Sequence, residues 1–263
     1  MKKFILIIIF MFSLLAHCQN ENLVNSRIGS QLIEADEYLG EDAFSYKYFI
    51  KNSVLFKIKN AENFQYKNIA LGRISSINIY NPFKIVLFYE NFNTAIILDN
   101  QLNEIQKINF SENKKPVVAS AVGICSRNNL WVFNTTNQQI GLYDYLKNEY
   151  KDISIPISLT IKYCETNSNF FYWIDEKNYL YSCDIFGKII AFGKLPDFDF
   201  VQIVSNLSII FKKNDSLYYY SLNGNKKTLI NIEEKRYKKF YYRDQNLSIF
   251  TTEGITNYKI NLP

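Results

Sequence analysis

Residues 81–110 read NPFKIVLFYENFNTAIILDNQLNEIQKINF. Three apolar-rich runs, 84–89, 94–99 and 104–110, are separated by two short polar stretches. Asn91-Phe92-Asn93 and residues 100–103 supply turn chemistry there, because Asn accepts left-handed backbone and bonds its own main chain. Residues 74–79 place a fourth run ahead of these three. Four short strands joined by tight turns make an antiparallel meander, the blade of a β-propeller.

The unit recurs along the chain. An aromatic residue closes the second strand each time: Phe49, Phe88, Phe133, Trp173, Phe211 and Phe250, at spacings of 39, 45, 40, 38 and 39. A period near 40 with four strands per unit is the propeller signature. Third strands follow at 54–58, 94–99, 139–143, 179–183, 217–221 and 255–260, after turns at 51–52, 90–93, 134–137, 175–178, 213–215 and 252–254. The second strands at 85–88, 130–133, 170–174 and 207–211 are continuously apolar, which requires burial on both faces. Inner propeller strands meet that demand, whereas a sandwich would alternate more strictly.

Residues 31–35 are expected to open the first blade, with 46–50, 54–58 and an outer strand at 63–67. No helical period lasts beyond two turns, and 143–150 reads as a strand end followed by a turn. The expected fold is all-β: one propeller domain over residues 19–263, with about six four-stranded blades. The sequence stops after the third strand of the sixth unit, so the N-terminus must donate the missing outer strand and close the ring. Residues 19–28 are the expected donor.

Composition fits this class. Of 263 residues, 48% are hydrophobic and 16% aromatic, nearly all Tyr and Phe, which favour strands. The wealth of Lys, Asn and Ile also matches an AT-rich genome. Residues 1–18 read as a signal peptide: Lys2 and Lys3 precede an apolar run at 4–15, too short for the ~20 residues that span a bilayer. Two processing readings stay open. Ala16-His17-Cys18 permits cleavage before Gln19, and Leu15-Ala16-His17-Cys18 imitates a lipobox with lipidation of Cys18, although His17 is larger than that motif wants. Either implies export, to the periplasm or the outer membrane, with no transmembrane segment in the mature chain and a possible lipid anchor at Cys18.

Processing would remove His17, the only histidine. Histidine is the usual general base near neutral pH and the commonest metal ligand. Ser-His-Asp and Cys-His catalysis and His-based metal sites are then unavailable, so no catalytic residue, metal ligand or cofactor is expected. Cys125, Cys164 and Cys183 remain. Cys164 and Cys183 fall on the first and third strands of one unit, about 9–10 Å apart across the strand between them and too far for a disulfide. The formal charge of +5 becomes +3 without Lys2 and Lys3. That mild charge, and the mixed signs in Glu233-Glu234-Lys235-Arg236, argue against a nucleic-acid partner.

Few side chains suggest chemistry. Glu34, Asp36, Glu37, Glu41 and Asp42 form an acidic stretch without the alternation of a calcium loop, better read as a solvated loop. Asp197 and Asp199 lie two apart; on a strand they would share one face, but no second segment completes a glycosidase pair. Tyr218, Tyr220, Tyr237 and Tyr241 compose a candidate aromatic binding face, in competition with core packing. N-x-S/T triplets at Asn109, Asn134, Asn206, Asn214 and Asn246 are what this Asn content produces by chance. Asp215-Ser216-Leu217 resembles a bacterial O-glycosylation triplet. Trp-Asp, Tyr-Trp-Thr-Asp and Gly-doublet propeller repeats are missing, as are nucleotide-binding fingerprints.

The segment Asn81-Pro82-Phe83-Lys84-Ile85-Val86-Leu87-Phe88-Tyr89 with Ile97-Leu98-Asp99, and the signal ending Ala-His-x-Gln, resemble exported β-propeller-like proteins of Bacteroidota. The resemblance implies the fold and an envelope location, and it brings no activity or site residue with it. The sequence is therefore read as a non-enzymatic envelope scaffold with other envelope proteins as partners, possibly in outer-membrane or secretion-complex assembly. The alternative is a glycan-active hydrolase or lactonase with carboxylates at the central channel.

Overall fold

Second strands carry apolar side chains on both faces because each face meets a different neighbour. In the strand Lys84–Tyr89, Ile85, Leu87 and Tyr89 pack toward the preceding blade, while Val86 and Phe88 pack toward the following one. The strand Asn129–Asn134 divides likewise, with Leu130 and Val132 on one side and Trp131 and Phe133 on the other. Period-two alternation thus feeds two cores at once. The apolar side chains gather into six separate clusters, one at each junction between neighbouring blades.

The structure is a computed structural model that describes residue 23 and residues 25–158 and 160–263. The signal segment, His17, Cys18 and the cleavage site before Gln19 lie outside the described residues. The described chain forms six four-stranded antiparallel sheets. Blade 1 is β2 (Glu37–Glu41), β3 (Lys47–Lys51), β4 (Val54–Lys59) and β5 (Glu62–Tyr66). Blade 2 is β6 (Ser76–Asn81), β7 (Lys84–Tyr89), β8 (Thr94–Leu98) and β9 (Glu104–Asn109). Blade 3 is β10 (Ala119–Ile124), β11 (Asn129–Asn134), β12 (Gln139–Asp144) and β13 (Glu149–Asp152). Blade 4 is β14 (Ile161–Thr166), β15 (Phe170–Asp175), β16 (Tyr179–Asp184) and β17 (Ile189–Lys194). Blade 5 is β18 (Phe200–Ser205), β19 (Ser208–Lys213), β20 (Ser216–Ser221) and β21 (Lys226–Ile230). Blade 6 is β22 (Lys239–Arg243), β23 (Asn246–Phe250), β24 (Ile255–Ile260) and, from the other end of the chain, β1 (Asn25–Gln31).

The molecule is a six-bladed β-propeller closed by its N-terminal strand. β1 pairs antiparallel with β24 from Asn25↔Ile260 to Gln31↔Ile255, around a bulge between Arg27 and Gly29. Leu23 adds a bridge to Ile230 of blade 5. The donor therefore lies a few residues later than expected, and residues 31–35 are not the first strand. Gln31 ends β1, and Ile33 turns into the core against Tyr38, Phe49, Phe250 and Ile255 as part of the connection. Gly254 makes room for this crossing: its φ is +143°, and a β-carbon there would stand 2.2 Å from the Gln31 carbonyl oxygen.

The turns between second and third strands use the expected chemistry. Asn52, Asn93, Asn178 and Asn214 all take positive φ there. The aromatic that closes each second strand is buried. In three blades it stacks on the residue directly opposite: Phe49 on Phe56, Trp173 on Tyr181 and Phe211 on Tyr218, with centroids 5.1–5.2 Å apart.

Candidate functional site

The first strand of each blade is the edge of its sheet and borders the central channel. Edge strands leave backbone groups unpaired, and here side chains from other blades bond them. Gln202 donates to the Tyr242 carbonyl at 2.7 Å and accepts from the Tyr242 amide at 2.8 Å, tying blade 5 to blade 6. Glu165 accepts from the Ile203 amide at 3.0 Å, tying blade 4 to blade 5. Asn78 donates to the Thr166 carbonyl and hydroxyl at 3.1 and 2.9 Å, reaching from blade 2 past blade 3. Gly123 of blade 3 permits that reach, since a β-carbon there would lie 1.9 Å from Thr166 Oγ1.

Glu165 is the one carboxylate of this inner wall pushed upward, to about 7. Burial is the main cause, opposed by the Tyr163 hydroxyl, the Ile203 amide and the charge of Lys239. Lys239 is itself paired with Glu37 at 2.8 Å. Burial and the adjacent Glu165 raise the Cys164 thiol to about 12, so it stays protonated and inert. Cys125, Cys164 and Cys183 are all free thiols, and a strand separates the last two as expected. Among the described residues no group of three or more His, Cys, Asp or Glu side chains is placed to hold a metal ion. No helix among them is long and apolar enough to cross a membrane.

The acidic stretch is divided among separate jobs. Glu34 pairs with Lys51, Asp36 accepts from the Asn52 amide, Glu37 pairs with Lys239, and Glu41 lies 3.7 Å from Lys47. Asp42 departs from the solvated-loop reading. Its side chain is fully buried and accepts from the amides of Phe44 and Tyr46 and from the Tyr48 hydroxyl, at 2.8–3.0 Å. Asp197 and Asp199 lie in the loop before β18 rather than on a strand. The first accepts from the Asn178 side chain and the second from the Asn214 amide, so they brace two different hairpins.

The four tyrosines do not form one exposed face. Tyr220 and Tyr237 are only 7% and 5% exposed and belong to different inter-blade cores. Tyr218 stacks on Phe211, and the Tyr241 ring packs against the backbone of Gly40 on the neighbouring blade. Core packing wins at these positions because consecutive strand residues must serve two junctions.

A different aromatic group is exposed, at the corner where blades 1 and 2 meet. Phe44 and Phe83, from the first turns of the two blades, are 48% and 58% exposed and touch edge to face at 5.5 Å. Tyr80, 47% exposed near the end of β6, lies near Tyr172 of blade 4 and is not part of this group. Phe44 and Phe83 line a pocket of about 140 Å³ together with Tyr46, Lys57, Glu62, Phe64, Pro82, Asn100 and Gln101. Lys57 forms part of its wall. Its side chain is 3% exposed, donates to the Asn100 carbonyl at 2.7 Å, lies 3.9 Å from Asp42, and stands over the rings of Tyr46 and Tyr48. Burial lowers its pKa, and Asp42, Asp99 and Glu62 oppose that. The Tyr46 hydroxyl donates to Glu62.

Sequence reasoning missed this corner, although two signals marked it. In V-L-F-K-I-K the alternation puts Lys57 on the same face as Leu55, which is fully buried, so a charge sits at an inward position and needs a partner. Phe44 and Phe83 stand among turn formers, outside any alternating run, where an aromatic has no core to enter. A second missed regularity is the aspartate at the end of three third strands. Asp99, Asp144 and Asp184 each accept two backbone amides from the turn that follows.

No family model matches the chain, and no curated protein matches it. Solved structures do. A streptogramin B lyase aligns with a TM-score of 0.56 and 11% identity, over 91% of this chain and 98% of the lyase. Virginiamycin B lyase from Staphylococcus aureus gives 0.55 and 13%, over 85% and 79% of the two chains. Its catalytically inactive form, determined with quinupristin, carries alanine in place of a histidine. The WD40 domain of Toxoplasma gondii coronin gives 0.55 and 10%, over 94% and 88%. At these identities the likeness is one of fold.

Proposed function

We propose that this chain is a non-enzymatic propeller of the cell envelope that holds a partner protein against the corner formed by Phe44 and Phe83. The observation that carries this reading is the exposed edge-to-face pair of Phe44 and Phe83 over a pocket on a rigid ring. Aromatic side chains at the centre of a contact supply most of its binding energy. Phe92 and Phe186 are also exposed, at 49% and 86%, but neither lines the pocket. The signal-like segment at residues 1–18 supports export, and the resemblance to exported Bacteroidota propellers agrees with it. A role in outer-membrane or secretion-complex assembly is one form this function would take.

Two observations weigh against catalysis. The channel carboxylate Glu165 bonds the wall rather than pairing with a second acid. The inactive staphylococcal lyase has lost a histidine, whereas residues 18–263 of this chain contain none. A photo-crosslinking residue at position 83 or 44 tests the proposal in intact cell envelopes. A discrete protein adduct is expected at both positions and not at Asn214, which lies in a turn on the opposite side of the ring. Equal adducts at all three positions, or none, would reject it.

A further inference from the structure

We infer that the pocket between blades 1 and 2 binds one neutral sugar ring, so that the partner held at this corner is a glycan-bearing envelope component. The inference rests on the corner being a docking site and names the chemistry of what enters it.

The lining has the two-sided character that a sugar ring requires. Phe44, Phe64, Pro82 and Phe83 give apolar surface, and the edge-to-face arrangement of Phe44 and Phe83 leaves ring surface open to a ligand. Lys57, Glu62, Asn100 and Gln101 give hydrogen-bonding groups of both kinds. The side-chain amides of Asn100 and Gln101 bond nothing else among the described residues. A sugar ring presents C–H groups on its faces and hydroxyls around its edge, each hydroxyl both donor and acceptor.

Lys57 adds an independent pointer. An ammonium has three donors, and here one bond is made, to the Asn100 carbonyl, while Asp42 stands at 3.9 Å, beyond hydrogen-bond reach. A buried cation with donors to spare, set in a pocket wall, calls for acceptor oxygens from outside. Charge decides between a neutral and an anionic ligand. Asp42 already balances Lys57, and Glu62 stands beside Lys59 on either side of Tyr46. An acid would meet Glu62, and a second cation would meet Lys57 and Lys59 at the Tyr46 ring they already occupy. Size sets the rest: about 140 Å³ lies well below the ~300 Å³ at which pockets for drug-sized ligands begin, and suits a single ring.

Saturation-transfer NMR on the full chain tests this with the methyl β-glycosides of glucose, galactose, mannose and N-acetylglucosamine. N-acetyl-phenylalanine amide and N-acetyl-leucine amide serve as amino-acid probes. Transfer to the ring protons of at least one glycoside is expected, and Phe83→Ala should cut it about fivefold, the value of one aromatic contact. Gln101→Ala, exposed and outside every core, should weaken it as well and guards against a folding defect in the first variant. Silence from all four glycosides, transfer untouched by both substitutions, or transfer to the amino-acid amides alone would overturn the inference. Adducts at positions 44 and 83 with no glycoside binding would sink the sugar and leave the docking site standing. Glycoside binding without a corner-specific adduct would do the reverse.

Discussion

Two tryptophans occupy equivalent second strands in neighbouring blades, yet their indole N–H groups fare differently. Trp131 donates to the Asn167 carbonyl at 2.8 Å, while the buried Nε1 of Trp173 has no partner. Replacing Trp131 by Phe strands that carbonyl and should cost about 1–3 kcal/mol for the lost bond. Replacing Trp173 by Phe removes an unsatisfied donor, so urea denaturation should show the smaller loss. Glu165 offers a second test. Its folded pKa of about 7 lies above the ordinary 4.5. Between those pH values the folded chain keeps a proton that the unfolded chain has released, so stability falls as pH rises through this window and levels off above it. The full effect is of order 3 kcal/mol, at about 1.4 kcal/mol for each tenfold change in acidity across that window. Glu165→Gln should flatten the profile, leaving the variant the more stable one at pH 8. Parallel wild-type and variant curves from pH 5 to 8 would contradict the assignment.

At the scale of single elements, β4 carries the buried ion pair. Lys57 on β4 and Asp42 beyond the end of β2 meet with side chains 3% and 0% exposed. Asp42→Ala leaves the ammonium buried without its counter-charge and removes the acceptor for two turn amides, and a loss of about 3–5 kcal/mol is expected in denaturant titration. Lys57→Met combined with Asp42→Asn should recover much of it, since Asn keeps an acceptor for the turn. The extent to which such elements can be read from sequence depends on what fixes them. β7 matched its expected bounds because Asn-rich turns enclose it and both its faces are apolar. β1 and β2 were displaced because Leu32-Ile33 mimics a strand, while Ile33 is buried only by contacts from the far end of the chain. The corner was illegible for a related reason. Phe44 and Phe83 are separated by one whole blade in sequence, and only the ring brings their turns together. The tyrosines stayed open between core and surface because their strand positions serve two junctions, which composition does not reveal.

The whole ring is held by six cores of unequal size. The junction of blades 6 and 1 buries five apolar side chains, Ile33, Tyr38, Phe49, Phe250 and Ile255, fewer than any other, so it is expected to open first. Hydrogen exchange should be fastest, among paired strands, along β24 and β1 and slowest along β7 and β8, whose side chains are almost wholly buried. Deleting residues 19–30 should lower the melting temperature of the entire domain, because it exposes the edge of β24 and removes the closing pairs. An unchanged melting curve would mean that the pairing contributes nothing.

The closing sheet joins the first described strand to the last. During synthesis β1 emerges ahead of the other described strands and waits, unpaired, while more than two hundred residues follow. For that interval the half-made disc carries two open borders able to pair with other chains. Loop-closure entropy makes the final join slow. Yield of folded protein should therefore depend on how long that gap stays open, and a chaperone that shields a bare strand would raise it more than one that shields greasy surface.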